Sequence, residues 1–416
     1  MYLPWRFVKR SGARPRWSAA VVAVAVAALI TSPPAMGAGQ RPGAGHQLAN
    51  ATAWAQDGFN AANTSYNANE SIINAATIRK VTRRWRITVP AFPSDCPTAQ
   101  APVVAGGRVF LVDDGGVAAF RVGDGRLLWR WNRPVAEPPG RVHLAVVGGA
   151  LVVGVAHCGS VSDPTGSLSA FDVGTGTVRW SRSLPVGSLV TDQGLVVVSD
   201  TSASEHPEGI VRAYRVTDGV QVWSREGVAN RSNVSAKGRL LLSRYAGGTV
   251  CVATSTGAVL WERAQPYEGV LAASPAGDRF FVVDFDRVLR AVNAGTGATL
   301  WSRPGVDIHF GNDTVATDGR RLFVAVGLTL TAYRADTGAV SWTRTLNGGV
   351  GQPIRAGGLV YTVVSADTGS SLAILQAASG APAVKGTAYR GAVDHPVIVN
   401  GRLYLRQSGA LSLYRP

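Results

Sequence analysis

Residues 119–129 read Ala-Phe-Arg-Val-Gly-Asp-Gly-Arg-Leu-Leu-Trp: a small residue first, Gly seventh, Trp last. The same grammar returns at Ala170–Trp180 (AFDVGTGTVRW), Ala213–Trp223 (AYRVTDGVQVW), Cys251–Trp261 (CVATSTGAVLW), Ala291–Trp301 (AVNAGTGATLW) and Ala332–Trp342 (AYRADTGAVSW). A degenerate copy at Ile374–Val384 keeps Gly380 and loses the Trp. Successive Trp residues lie 51, 43, 38, 40 and 41 positions apart. Self-similarity near 40 residues, built from short apolar runs separated by Gly-bearing turns, marks an array of small sheets.

Each unit has the same interior. Pro102–Ala105 is an apolar run that meets Gly106-Gly107, and Arg108–Val112 follows as a second run. Val117–Phe120 is a third, and the turn Gly123-Asp124-Gly125 leads into Leu127-Leu128-Trp129. Four strands joined by turns whose Gly residues supply positive φ are one propeller blade. Seven such units run from Arg86 to about Val384. The chain then provides three more strands, Pro396–Val399, Leu403–Leu405 and Ala410–Tyr414, without a fourth. At the other end, Val81–Ile87 with Trp85 reads as a fourth strand lacking the other three. Joining the two remnants closes a ring and removes unpaired strand edges. The expected fold is therefore all-β: an eight-bladed propeller of four-stranded antiparallel blades, closed by pairing of the N- and C-terminal strands, with seven blades as the alternative.

Outward from the repeat, composition sets the class. Of 416 residues 46% are apolar and only 16% charged, with 49 Gly, which excludes wholesale disorder and coiled coil. Lys and Arg number 41 against 26 acids, yet only four are Lys, a bias expected of a GC-rich bacterial genome rather than of a functional basic surface. Five of the positive charges precede the apolar run Ser18–Ile30, which small residues follow. That order is a secretory signal peptide, assigned to residues 1–37, and the run is shorter than the ~20 residues a span requires. Residues 38–52 read as a flexible linker and 53–416 as the propeller. The expected product is secreted and extracellular, without a membrane span after cleavage.

Export implies an oxidising compartment. Cys96 and Cys158 sit in loop contexts and are the expected disulfide, whereas Cys251 begins an apolar strand and reads as a buried free thiol.

The Ala…Gly…Trp segment resembles the tryptophan-docking motif of pyrroloquinoline-quinone (PQQ) repeat propellers, and residues 54–71 resemble the stretch that precedes the first blade in that family. The resemblance covers roughly 54–416. It implies that Trp85, Trp129, Trp180, Trp223, Trp261, Trp301 and Trp342 glue neighbouring blades together. Catalytic members carry adjacent cysteines over the quinone and a Glu/Asn/Asp set for calcium and base. No two cysteines here are adjacent, and no such set can be matched position by position. The expectation is a non-catalytic module that needs no cofactor, neither PQQ nor calcium. The alternative is a divergent extracellular quinoprotein dehydrogenase.

Candidate binding residues cluster near the starts of innermost strands: His143, Asn233, His309, Asn312, Asp313, Gln352, Asp394 and His395. They are expected as a polar ring at the channel mouth, either a ligand site or the ordinary lining of a watery channel. No His pair has chelating spacing, so no metal is expected. Two long loops, His157–Gly166 and Asp200–Gly209, carry acids and His, but no nucleophile elbow accompanies their serines. An Arg recurs just past the Trp (Arg86, Arg130, Arg182, Arg225, Arg263, Arg303, Arg344). Blade-period copies spread around the rim and cannot form one phosphate track, so nucleic acid is not an expected partner. The expected partner is a protein or glycan at the cell surface, and the chain is expected to be a monomer.

Overall fold

The computed structural model describes residues 53–90, 101–113, 116–133, 140–157, 165–200, 209–229, 234–308, 315–384, 389–391, 396–407 and 409–416. The signal-peptide and linker assignments, and the Cys96–Cys158 pair, lie outside them.

Eight antiparallel sheets follow one another as blades of a propeller. Blade 1 comprises Val103–Ala105, Arg108–Asp113, Gly116–Arg121 and Leu127–Asn132, ordered from the axis outward. Blades 2 to 6 repeat this order, opening with Gly140–Val147, Val186–Asp192, Val228–Ala229, Gly269–Ala273 and Val315–Thr317. Blade 8 joins Val397–Val399, Arg402–Gln407 and Ala410–Arg415 to Thr82–Thr88, with Trp85 opposite Leu413 and Ile87 opposite Leu411. The two ends of the ring thus share one sheet, and the blade count is eight.

Burial follows position in the blade. In the second strand of blade 1 every residue after Arg108 is buried, because this strand is covered by neighbouring blades on both faces. In the outermost strand Val178–Ser183 only Trp180 is buried. An outermost strand is therefore held by its hydrogen bonds to the third strand and by one indole.

Blade 7 departs from the pattern. Its degenerate repeat forms no regular outermost strand among the described residues; Leu375 makes a single bridge to Pro382. Val384 stands where the others have Trp, and in blade 8 Val81 stands where the others have the turn Gly. Val81 has φ −68° rather than a turn conformation, and both valines join the apolar cluster of blades 7, 8 and 1. At this seam the ring is closed by aliphatic packing and by the Arg79 side chain, which donates to the Ala383 carbonyl at 3.3 Å.

Candidate functional site

Seven interfaces share one construction. Each indole N–H of Trp85, Trp129, Trp180, Trp223, Trp261, Trp301 and Trp342 donates to a carbonyl of the next blade: Val122, Val173, Val216, Thr254, Ala294, Ala335 and Ala377, at 2.8–3.1 Å. The ring lies under the next blade's turn Gly. At Gly176, φ is +75° and a Cβ would stand 2.5 Å from the Trp129 ring, so conformation and space both demand glycine. Four of the Arg residues two past a Trp also contact the same joint. Arg182, Arg225 and Arg303 donate to the carbonyls of Gly219, Gly257 and Gly338, and Arg263 reaches Thr296 with its guanidinium over the Trp261 ring. Arg130, one position earlier in register, instead forms an ion pair with the buried carboxylate of Asp113.

The axis holds a feature that no repeat pattern announces. Residues 54–70 form a strap that visits the innermost stretch of every blade in order. Trp54 exchanges backbone hydrogen bonds with Val104 of blade 1, and Ala55 accepts from Val146 of blade 2. The Gln56 side chain accepts from the Thr191 N–H and hydroxyl of blade 3. Ala61, Ala62, Thr64 and Ser65 accept from Ser235, Ala273, Thr317 and Arg355 of blades 4 to 7. Asn67 donates to Ile398 of blade 8, and Tyr66–Asn67 adds a parallel strand to Ile354–Ala356. Glu70 finishes the strap by accepting from the backbone of Ile72, Ile73 and Gly401, each at 2.9 Å. Because strands alternate in direction, the first–second and third–fourth hairpins lie on one face of the ring. The strap's partners all sit beside first–second hairpins, so this face carries the strap. The opposite face carries the connections between blades and the loops between second and third strands.

Of the eight expected channel-mouth residues, two are described, and both meet the strap. The Nδ1 of His143 lies 3.8 Å from an Asp57 carboxylate oxygen. Buried Gln352 donates from its amide to the Ser65 hydroxyl at 2.8 Å and to the Val315 carbonyl. Asn233, His309, Asn312, Asp313, Asp394 and His395 lie outside the described residues, as does most of both long loops. The innermost strands are also less polar than a watery channel predicts: Val103–Ala105 and Val397–Val399 are wholly buried.

Quinoprotein relatives raise the question of a quinone and its calcium. No group of three or more His, Cys, Asp and Glu able to hold a metal occurs among the described residues, and His143 and Gln352 are committed to the strap. The described cysteine, Cys251, is buried in blade 4 with its thiol pushed up to about 12 by burial.

The face opposite the strap carries exposed apolar side chains among its described residues. Tyr245, Phe285 and Leu328 occupy the second-to-third loops of blades 4, 5 and 6 and are 69%, 57% and 53% exposed. The ion pairs Arg244–Glu262 and Arg287–Asp307 flank them. No helix among the described residues is long and apolar enough to cross a membrane.

Comparison with known proteins places this architecture. The family profile described as outer membrane protein assembly factor BamB, a PQQ-type repeat, matches residues 80–202, 207–307 and 290–383. The tetrathionate hydrolase of Acidithiobacillus ferrooxidans is 26% identical over 374 residues, covering 74% of this chain and 71% of that protein. The outer membrane protein assembly factor BamB of Alkalilimnicola ehrlichii is 27% identical over 206 residues, 47% of this chain and 51% of that protein. In fold, the quinohemoprotein alcohol dehydrogenase of Comamonas testosteroni superposes with a TM-score of 0.66 at 13% identity, covering 88% of this chain and 80% of that one. The chain belongs to the PQQ-repeat β-propeller family described as outer membrane protein assembly factor BamB.

Proposed function

We propose that the protein is an exported, non-catalytic propeller that docks a protein partner on the face opposite the strap. The observation that carries this reading is the row Tyr245, Phe285 and Leu328. Three consecutive blades each present one large apolar side chain to solvent at equivalent loops, rimmed by ion pairs. Exposing one such group on each of three successive blades has a solvation cost that a partner would relieve, and apolar groups flanked by charged ones are the anatomy of a recognition surface. The family's description as an assembly factor agrees with a role in protein contacts. Absence of adjacent cysteines and of a matched calcium set supports the non-catalytic half of the proposal.

The test is site-specific photo-crosslinking in the native host. A photoreactive residue at position 285 should capture a discrete partner, and one at exposed Lys237 on the strap face should not. Replacing Tyr245 and Leu328 with Ser should abolish the capture at 285. Equal capture from both faces, or none from either, contradicts the docking assignment. Enzyme assays provide the second arm. Dye reduction with alcohols or sugars after incubation with PQQ and calcium would overturn the non-catalytic reading, as would consumption of tetrathionate.

A further inference from the structure

Three blades end their third strand on an arginine that the following turn neutralises. Arg121, Arg215 and Arg334 pair with Asp124, Asp218 and Asp336, each in the turn that leads to the fourth strand. Blade 2 reverses the pair, with Asp172 ending the strand and Arg179 facing it at 2.7 Å. Blade 8 ends its third strand on the equivalent Arg415, but its fourth strand comes from the other end of the chain, so no turn follows to supply an acid. More positive charge arrives instead: Arg79, Lys80, Arg83 and Arg84, all exposed like Arg415. Arg79 and Arg84 donate to backbone oxygens of Ala383 and Pro416, and none of the five cations pairs with the carboxylate side chain of a described residue. Four remain even with Arg84 set against the Pro416 oxygen. Other acids on this face are committed: Glu70 to backbone N–H groups, Asp124 to Arg121 and Asp318 to Arg355. Residues 1–52 and 385–388 hold no acid. Asp95 and Asp394 belong to the stretches beyond Thr88 and before Val397, the blade-8 strand ends on the opposite face. The patch lies on the strap face, because Thr82 meets Arg415 where the third–fourth hairpin stands in other blades. Ile72 is at the same end, packed against the Gly401 turn yet 49% exposed.

We propose that this end of blade 8 is a docking surface for an anionic lipid membrane, with Ile72 entering the headgroup layer. Uncompensated cations gathered on one edge attract a surface of many negative charges, and each Lys or Arg near an anionic bilayer adds to the attraction without a shaped pocket. Long Arg and Lys stems let the charges reach headgroups while an aliphatic side chain sinks between them. An acidic peptide adding itself as a strand fits this edge less well, since the register shifts between Arg83 and Trp85 and consecutive arginines interrupt it. The surface lies on the face opposite Tyr245, Phe285 and Leu328 and does not depend on their role.

The test is co-sedimentation of the exported chain with vesicles of phosphatidylcholine, alone or mixed equally with phosphatidylglycerol. Mixed vesicles should bind the chain and release it at high salt, and neutral ones should leave it in solution. Arg83→Gln and Arg415→Gln should each lower binding about fivefold, and their effects should multiply. Arg344→Gln, an equal charge change on the outermost strand of blade 6, should leave it unchanged. All three positions are exposed, so the melting temperature should hold in each variant. Ile72→Ser should weaken binding about two- to fivefold. Every variant keeps the same N-terminal residues, so binding through residues 1–30 cancels in these comparisons. Hydrogen exchange at residues 72–84 should slow on mixed vesicles alone. Equal binding to both vesicles or to neither, equal effects of Arg83→Gln and Arg344→Gln, or unchanged exchange at 72–84 would overturn the proposal. So would binding to poly-glutamate without binding to vesicles, which would assign the surface to an acidic polypeptide.

Discussion

Trp180→Ala removes one blade-to-blade joint, and its cost follows from the geometry. The side chain is 8% exposed, its N–H is 2.8 Å from the Val216 carbonyl, and its ring supports the Gly219 turn. A Trp buries roughly 150–250 Å², which at ~25 cal/mol per Å² is about 4–6 kcal/mol against an extended chain. A more compact unfolded state lowers this to about 3–5 kcal/mol. Trp180→Phe keeps most of the ring but leaves the Val216 carbonyl without its donor, for a smaller loss of about 1–3 kcal/mol. Gly219→Ala attacks the same joint from the other side: φ is +69°, and the new Cβ would stand 2.6 Å from the Trp180 ring. Because the clash needs the indole, the two substitutions must couple, and Gly219→Ala should cost at least ~1 kcal/mol less in the Trp180→Ala background. The assay is urea unfolding followed by both circular dichroism and fluorescence, with coincident transitions licensing the conversion to free energy. A loss below ~1 kcal/mol for Trp180→Ala, or strictly additive effects, would refute the view that the indoles hold the blades together.

Other expectations follow from the strap and the buried acids. Glu70→Ala strips three backbone N–H groups of a buried carboxylate acceptor and should cost about 2–4 kcal/mol, with faster hydrogen exchange confined at first to residues 54–73 and the Gly401 turn; uniform loss across the blades would contradict a local role. Burial pushes Cys251 and Tyr389 up to about 12, and Tyr361 and Tyr404 well above the usual 10. The folded chain retains these protons while the unfolded chain releases them from about pH 9–10 upward, so stability is intact below that range and falls as pH rises through it. Urea midpoints at pH 8 and pH 11 check the sign, and a higher midpoint at pH 11 would be inconsistent with it. Thiol reagents at pH 8 should label Cys251 only on unfolding; rapid labelling of the native chain would show that blade 4 opens.

The ring was legible because its signal is repeated: Gly and Trp four residues apart recur with the blade, and the unmatched strands at either end complete one another. The strap was not, since it binds through backbone groups and small polar side chains at irregular intervals, and such contacts leave no period in the sequence. Its effect on His143 and Gln352 was hidden for the same reason. Sequence placed them at the innermost strands but did not show Asp57 and Ser65 arriving from elsewhere. The recurrent Arg was visible as a rim feature, but not the contact that Arg182, Arg225, Arg263 and Arg303 make with a carbonyl of the next blade, because sequence does not show which way a long Arg stem turns.

Closure of the ring is the claim on which the rest stands, and one cross-link tests it. Thr82 and Arg415 face each other across the last sheet and are both exposed. Facing residues of antiparallel strands lie within disulfide range, Cα atoms ~4.5–5.5 Å apart. In a chain carrying Thr82→Cys and Arg415→Cys, mild oxidation should join these positions within one molecule, seen by peptide mapping under non-reducing conditions, without loss of stability. Failure to cross-link, or cross-links only between molecules, would mean that the two ends do not share a blade.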